Sequence, residues 1–442
     1  MINSLSFRKI ALLIFISFIV WSSKDMFMLN QGDFHRAIYP FLGDIEGIHF
    51  RGVIPLSYKL KDNFLPIYSY EYKSSYSLLL YIYAATISAI TDTFDIQLLS
   101  ALIKIFYVLS LYYLFLKISN NSNVIVFIIS CIPLLSSSNL SYFSSFYQEQ
   151  ILLPLLPICL SLVGSLKSKD AIIVFLCVSI IACSKSQFFY IPFIFAMYYI
   201  IFDRERLATR LSLMGFSLLL SIMCIAFSTG ASHFNKYHSN FFGVYQYMKL
   251  ENVKIPNYID EKCVGVDSWG NRYDIKNGAV WTDIGESCLW ENTSYGFENT
   301  IKEIINNPSM LIKLPYSKSM ETFYGEDYFH VYKQIKLIKN DNNFSSVLTK
   351  VKDALFNKLR FSILIACIII SIIFFRNKIA GVFFILGTIG VSQLYVSFLG
   401  EGYRDINKHL SSMNYSFDLV LFLIMVLLIT NAMKIIYKKA GR

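Results

Sequence analysis

The stretch YSLLLYIYAATISAIT (residues 76–91) decides the topology of this chain. It is apolar, yet it is shorter than the roughly 20 residues a helical membrane crossing needs. It is rich in Tyr, Ser and Thr, and DTFDIQ follows it without a basic residue. Clearer apolar runs lie near 9–22, 98–117, 124–138, 150–165, 171–184, 187–202, 211–229, 359–375, 379–399 and 415–433. If every run crossed and the N-terminus were cytoplasmic, KSKD (167–170) and DRERLATR (203–210) would lie outside and the large polar segment 230–358 inside. Lys and Arg prefer the cytoplasmic side of short loops, so that arrangement fails repeatedly. Removing one early crossing brings KSKD, DRERLATR, RNK (376–378) and the tail KIIYKKAGR to the cytoplasm together. Residues 76–91 are the best candidate to be removed, which predicts about ten transmembrane helices plus a juxtamembrane or re-entrant helix. Re-entrant backbone is tolerated only where protein or a cavity surrounds it, so a site should lie nearby.

Composition agrees with a membrane class. Of 442 residues, 55% are hydrophobic and 16% charged, and the mean hydropathy is +0.49. The net charge of +10 is spread in short clusters between apolar runs, which marks topology and argues against nucleic acid as a partner. The first segment, MINSLSFRKIALLIFISFIVW, has a basic flank and an apolar run but no small-x-small cleavage site, so it reads as an uncleaved first span or signal anchor. The expected architecture is an all-α polytopic membrane protein in three parts. Residues 1–229 form a membrane module with a first external loop at 23–97, residues 230–358 form an external lobe, and residues 359–442 return to the membrane with a short external loop at 400–414.

The lobe changes character. CVGVDSWGNRYDIKNGAVWTDIGESCLW mixes short β-prone pieces with turn signals, and FENTIKEIINNPSMLIKLPYSKSMETFY reads as helix, Pro break and helix, so a mixed α/β lobe is expected. Cys263 and Cys288 both fall there, where an oxidising compartment would join them. The other six cysteines lie in apolar runs as small hydrophobes. Trp269, Trp281 and Trp290 have the faces to stack on sugars, but the expectation is that they fill the core of the lobe. Asn292 heads a glycosylation sequon by pattern alone.

Charged residues collect at the external face on this topology. They are Asp33, His35, Arg36, Asp44 and Glu46 in the first loop, Glu149, Lys185, and the group Glu401, Arg404, Asp405, Lys408 and His409. Asp405, Lys408 and His409 share a face if the last helix starts early. Lys185 interrupts two apolar helices on the side disfavoured for Lys, which calls for a phosphate or carboxylate partner. A sugar leaving a lipid phosphate already has a competent leaving group. Such a reaction needs one carboxylate to accept the incoming hydroxyl proton and cations to hold the departing charge. Asp33 is the candidate base.

The succession GDFHRAIYPF, the long segment from SYSLLLYIYAATISAITDTFDIQ to LFLKIS, FYQEQILLPLLPICLSLVG and IIACSKSQFFYIPFIFAMYYI resembles the membrane module of glycosyltransferases of the GT-C superfamily over about the first 200 residues. Asp33 matches the acidic residue of their first periplasmic loop, Glu149 that of the second, and Lys185 the lysine after the fifth span. Many relatives carry paired acids where this chain has Asp33 followed by Phe34, which leaves Asp33 as sole base or transfers the role to Asp44 or Glu46. The aromatic bias and the ending GEGYRDINKHLSSMNYSFDLVLF look like the serotype-converting O-antigen glucosyltransferases of bacteriophages and their remnants.

That resemblance implies an inner-membrane, inverting enzyme that moves glucose from undecaprenyl phosphate glucose to a sugar of the lipid-linked O-antigen in the periplasm. It implies Asp33 and Glu149 as catalytic residues and Lys185, Arg36, Arg404 and Lys408 as donor-phosphate ligands. Asp44, Glu46, Glu401, Asp405 and His409 would be further site residues. No cofactor is required by this chemistry, a divalent metal being the alternative charge carrier, and a flippase and a bactoprenol glucosyltransferase would supply the donor. The rival readings are an O-antigen polymerase or ligase, against which Arg272 stands as the only arginine of the large loop, and a transporter or flippase, for which Lys104 is the one clear mid-span charge.

Overall fold

A computed structural model describes residues 4–43, 56–119, 123–228, 232–329, 335–339 and 343–439. Asp44 and Glu46 lie outside these residues. Helices dominate, because long apolar runs can satisfy their own backbone polar groups only in that form where water is absent. Among the described residues, five helices are long and apolar enough to cross a membrane: Ile96–Ser119, Leu207–Ala226, Phe344–Ile373, Lys378–Glu401 and Ser411–Ile436. The third is two helices, Phe344–Phe356 and Arg360–Ile373, joined by a 3-10 turn at Asn357–Leu359. Helix therefore begins fifteen residues before the boundary expected at 359, and the end of the supposed lobe is continuous with a membrane helix. Its start is fixed by Asn343, whose side chain accepts the Ser346 amide.

The remaining apolar runs form shorter pieces. The run at 124–138 is not one helix: Val124–Ser130 gives way to a 3-10 turn at Ile132–Leu135 and then to Ser137–Leu140. Pro133 lacks an amide proton, and the serines that follow offer side-chain partners in place of the helical ladder, as in the contact of the Ser136 and Ser138 hydroxyls at 2.8 Å. From Ser136 to Gln150 this irregular ribbon is buried. One buried charge network holds it. Lys352 donates to Ser136 at 3.0 Å and pairs with Asp418 at 2.6 Å and Glu326 at 2.8 Å, while Asn139 donates to Asp418 at 2.7 Å. Arg360 completes the group on Glu326 at 3.0 Å and Asp353 at 2.6 Å.

The stretch that opened the analysis becomes the helix Ser75–Ile87. Its 13 residues span about 20 Å at 1.5 Å per residue, short of a hydrocarbon core of about 30 Å. Its start is clamped to the end of the helix Ser168–Ser184, where Ser74 and Ser75 hydroxyls donate to the Ser184 and Ile180 carbonyls, each at 2.6 Å. Lys185 is the next residue, so this short helix borders the charged cluster.

The basic loops meet at the opposite ends of the same helices. Lys378 of RNK approaches Asp203 at 3.6 Å, Arg210 pairs with Asp203 at 3.1 Å and donates to the Ser165 carbonyl at 2.6 Å, and Arg206 reaches Ser168. Three loops assigned to one side by charge alone are thus in mutual contact. Helix Lys378–Glu401 packs closely on Arg360–Ile373 because Gly387 presents no side chain; a Cβ there would sit 2.7 Å from the Leu364 carbonyl oxygen.

Small antiparallel ribbons tie segments outside the long helices. Phe27–Met28 pairs with Ile338–Lys339, and Ser57–Lys59 pairs with Thr93–Asp95. In the lobe, Asn271–Asp274 and Gly278–Trp281 form a hairpin, and Cys263 is bonded to Cys288. The helices Phe297–Asn306 and Ser309–Lys313 flank Pro308.

Candidate functional site

Asp33 is presented by a turn that its neighbours build. Asn30 Oδ1 accepts the amides of Gly32 and Phe34 at 2.8 and 3.1 Å, and Gly32 occupies φ +99°, a conformation that favours glycine. Phe34 points the other way and packs edge-on against Phe146 and Tyr147. The position where relatives were expected to hold a second acid is therefore part of the core.

Two cations hold the Asp33 carboxylate. Arg36 Nη2 lies 3.1 Å from Oδ1, and Lys408 Nζ donates to Oδ2 at 2.7 Å. Arg36 also lies 4.7 Å from the Tyr72 ring centre, and Lys408 the same distance from that of Tyr147. Burial by itself raises the Asp33 pKa, but Arg36, Lys408 and Lys185 outweigh it and keep the carboxyl well below its usual range. Burial likewise opposes charge on Lys408, and Asp33 reverses the effect, so the ammonium is held above its ordinary pKa. Asp33 is 22% exposed and Lys408 only 2%, which places the opening of the site on the carboxylate side.

A second layer lies behind. Glu149 enters from the 3-10 turn Gln148–Ile151, and Lys185 from the break after Ser168–Ser184. Lys185 Nζ donates to Glu149 Oε1 at 2.5 Å and to His409 Nδ1 at 3.2 Å. An ammonium has no acceptor, so Nδ1 takes the bond and the His409 proton sits on Nε2, aimed at Glu401 Oε2 at 3.1 Å. Lys185 is neither a solvated loop lysine nor a snorkelling one; it is enclosed between a carboxylate and an imidazole.

The group 401–409 does not share one face as the spacing suggested. Asp405 adopts φ +49° and accepts from Gln31 Nε2 at 3.1 Å, while Lys408 turns to Asp33 and His409 to Lys185 and Glu401. The loop is seated by Gly402, at φ +63°, whose missing side chain lets the Phe242 carbonyl approach and the Tyr403 amide donate to it at 3.0 Å. Phe242 belongs to a π-helical segment, His238–Val244, a geometry frequent at functional sites.

Arg404 departs from its expected role. It turns away from Asp33 to pair with Asp267 of the lobe and lies 3.9 Å from the ring centre of Trp269. Asp267 was missed by sequence reasoning, although DSWGN carries the signal of an Asx turn; its Oδ1 accepts the amides of Trp269 and Asn271 at 2.9 and 2.8 Å. The tryptophans do not fill the lobe core: Trp269 is 50%, Trp281 69% and Trp290 60% exposed. Asn292 is the reverse, buried and donating to the Cys288 carbonyl at 2.8 Å, so its sequon is covered. His35 stacks on Tyr39 outside the cluster. Lys104 donates to the Ser23 carbonyl at 2.9 Å, which gives the mid-span charge a structural partner.

The cluster thus gathers side chains from four separated segments, around 33, 149, 185 and 405. Acids and cations alternate in it, and Asp33, as open as Glu401 at 22%, pairs with both Arg36 and Lys408. Such a site can accept a proton at Asp33 and neutralise an incoming anion with Arg36 and Lys408. Among the described residues, no three His, Cys, Asp or Glu side chains form a metal-ligand group.

Comparison with known proteins shows the family. Residues 2–442 match the family described as the YfdI N-terminal transmembrane domain, and the chain belongs to it. The uncharacterized protein YfdI of Escherichia coli (strain K12) is 41% identical over 425 residues, which covers 95% of this chain and 96% of that protein. No solved structure matches.

Proposed function

We propose that this member of the YfdI transmembrane family is an inverting, GT-C type glycosyltransferase of the bacterial inner membrane. On this reading it moves glucose from undecaprenyl phosphate glucose to a sugar of the lipid-linked O-antigen on the periplasmic side. The observation that carries the reading is the placing of a partly open carboxylate, Asp33, on two cations, Arg36 and Lys408, at 3.1 and 2.7 Å. The acceptor hydroxyl oxygen bonds to the anomeric carbon as its proton passes to Asp33, and the bond to the lipid phosphate breaks with its electron pair going to the phosphate. Arg36 and Lys408 hold that charge, and Lys185, positioned by Glu149 and His409, adds positive potential from behind.

About ten crossings, with Ser75–Ile87 lying against the membrane surface, suit this reading, because they put the cluster at one face and the basic loops at the other. A flippase and a bactoprenol glucosyltransferase would supply the donor. A transporter is disfavoured by Lys104, which is anchored on a backbone carbonyl rather than aimed at a pathway. The test is O-antigen composition and linkage, by mass spectrometry and NMR, in a host that makes the lipid donor. A new glucose branch that vanishes with Asp33→Ala supports the proposal. Unchanged branching with altered chain length replaces it with the polymerase reading.

A further inference from the structure

One stretch of the lobe is folded with its polar side inward. In the helix Phe297–Asn306, Phe297, Ile301 and Ile305 recur every fourth residue and so share a face. That face is turned out, with Ile301 52% and Ile305 71% exposed. The other side is the buried one: the Thr300 and Ser239 hydroxyls meet there at 2.8 Å, and Glu303 Oε1 accepts the Tyr258 hydroxyl at 3.0 Å. The pattern continues past Pro308, where Leu311 and Tyr316 are exposed and Ile312 is 73% open. A helix in water turns its apolar stripe to the protein, so this arrangement is the reverse of what an aqueous surface selects.

We propose that the segment from Phe297 to Tyr316 is a lipid-docking surface, lying in the leaflet on the side of the charged cluster with its apolar residues among acyl chains and Lys302 and Lys313 at the phosphate headgroups. Its first support is a second helix inverted in the same way. In Phe344–Phe356, Val347, Val351 and Leu355 face out while Ser346, Thr349 and Lys352 are buried. That helix runs on into a membrane-length apolar span, so lipid is the solvent that selects the pattern in this chain. The second support is continuity with the membrane helices. The Tyr395 hydroxyl donates to the Leu311 carbonyl at 2.7 Å, from a position six residues, about 9 Å, short of the charged end of Lys378–Glu401. The Tyr316 ring packs edge-on against Phe361, in the first turn of Arg360–Ile373, with centres 5.9 Å apart. Both contacts set the segment beside membrane helices, and the first sets it below a helix end, at the boundary of headgroups and acyl chains.

Charge suits the same occupant. Lys302 follows Ile301 and Lys313 follows Ile312, and both lysines are exposed, so their stems lie along the acyl boundary while the ammonium groups reach the phosphates. The chain then enters Lys318–Glu321, where the Ser319 and Tyr403 hydroxyls meet at 2.9 Å, which joins the docked segment to the charged loop next to Arg404. The surface is independent of the reaction that the cluster performs.

The test uses full-length protein in phospholipid nanodiscs. A benzophenone amino acid takes the place of Ile305, Ile312, Ile370 or Lys276 in turn, and mass spectrometry follows phospholipid adducts after illumination. Ile370 is 54% exposed on the membrane helix Arg360–Ile373, and Lys276 lies in the hairpin turn of the lobe. We expect adducts at Ile305 and Ile312 in yields comparable with Ile370, and their loss at Lys276. Yields at Ile305 and Ile312 no higher than at Lys276 overturn the proposal. Crosslinks to a second copy of the chain in place of lipid would assign the face to self-association and overturn it too. Stability supplies an independent sign. Gln is a better helix former than Ile, so Ile305→Gln with Ile312→Gln should lower the thermal midpoint in nanodiscs only if lipid covers the face. A midpoint that stays or rises would mean that the face meets water, and the docking surface falls.

Discussion

Asp33 held on Arg36 and Lys408 is a poor base until something else engages those cations, and this sets the pH behaviour of the reading. In the free protein the carboxyl pKa is lowered, so Asp33 stays ionised throughout the neutral and mildly acidic range. The ion pairs therefore support the fold at neutral pH, and their contribution is lost only as acid drives the pH down through the lowered pKa. A donor phosphate that draws off Arg36 and Lys408 removes the charges that lower the pKa while burial remains, so the pKa rises. The acid limb of kcat should then lie at higher pH than that of kcat/KM for the donor; coincident limbs would refute this coupling. Asp33→Asn should retain the fold and reduce transfer by roughly 10²- to 10⁴-fold, the usual share of a general base. Behind it, Lys185→Met leaves the Glu149 carboxylate buried and uncompensated, at a cost of about 3–5 kcal/mol. Adding Glu149→Gln should recover most of the thermal stability without recovering transfer. A double variant that regains activity would show the pair to be structural only.

Among the elements, the loop between Lys378–Glu401 and Ser411–Lys439 shows what a sequence reveals and what it conceals. Its charge density was legible, as were Asp33, Glu149 and Lys185, because ionisable residues at the ends of apolar runs stand out against their surroundings. Its internal geometry was not. Asp405 at φ +49° and Gly402 at φ +63° bend the chain, so residues spaced for one helical face aim at three different partners. Arg404 faces the lobe for the same reason, and no local pattern announces a partner 137 residues away. The broken run at 124–138 was concealed too, since apolar content alone does not register how Pro133 and the serines after it divert the backbone. The seat of the loop is testable. Gly402→Ala meets both a positive-φ backbone, costing about 1–3 kcal/mol, and the Phe242 carbonyl, so it should lower the thermal midpoint and nearly abolish transfer. Gly400→Ala has open space around the new carbon and should leave both unchanged. Equal tolerance of the two would mean that the loop is not held by this contact.

For the whole molecule, the reading stands or falls on which ends of the helices share a side. The contacts among Lys378, Asp203, Arg210 and Ser165 group three basic loops, and the disulfide belongs to the lobe at the other end. Closing a loop of 25 residues, the bond is worth about 3 kcal/mol in the chain-entropy account. Cys263→Ser with Cys288→Ser should therefore lower stability by that order, and reductant should do the same to the wild type but not to the variant. The decisive assay is paired reporter insertion, with a phosphatase active outside and a fluorescent protein active inside. Insertions after Lys169, after Glu205 and after Asn377 should report the cytoplasm, and one after Asn277 the exterior. Insertions after Lys24 and after Thr91 bracket the helix Ser75–Ile87, which spans only about 20 Å. Both should report the exterior. Opposite reports from that pair would make the short helix a crossing, invert every later segment, and carry Glu149, Lys185 and the loop at 401–409 to the side of the membrane away from Asp33. Their contacts at 2.5–3.2 Å around one carboxylate cluster are incompatible with that inversion, so opposite reports would overturn the cluster together with the topology.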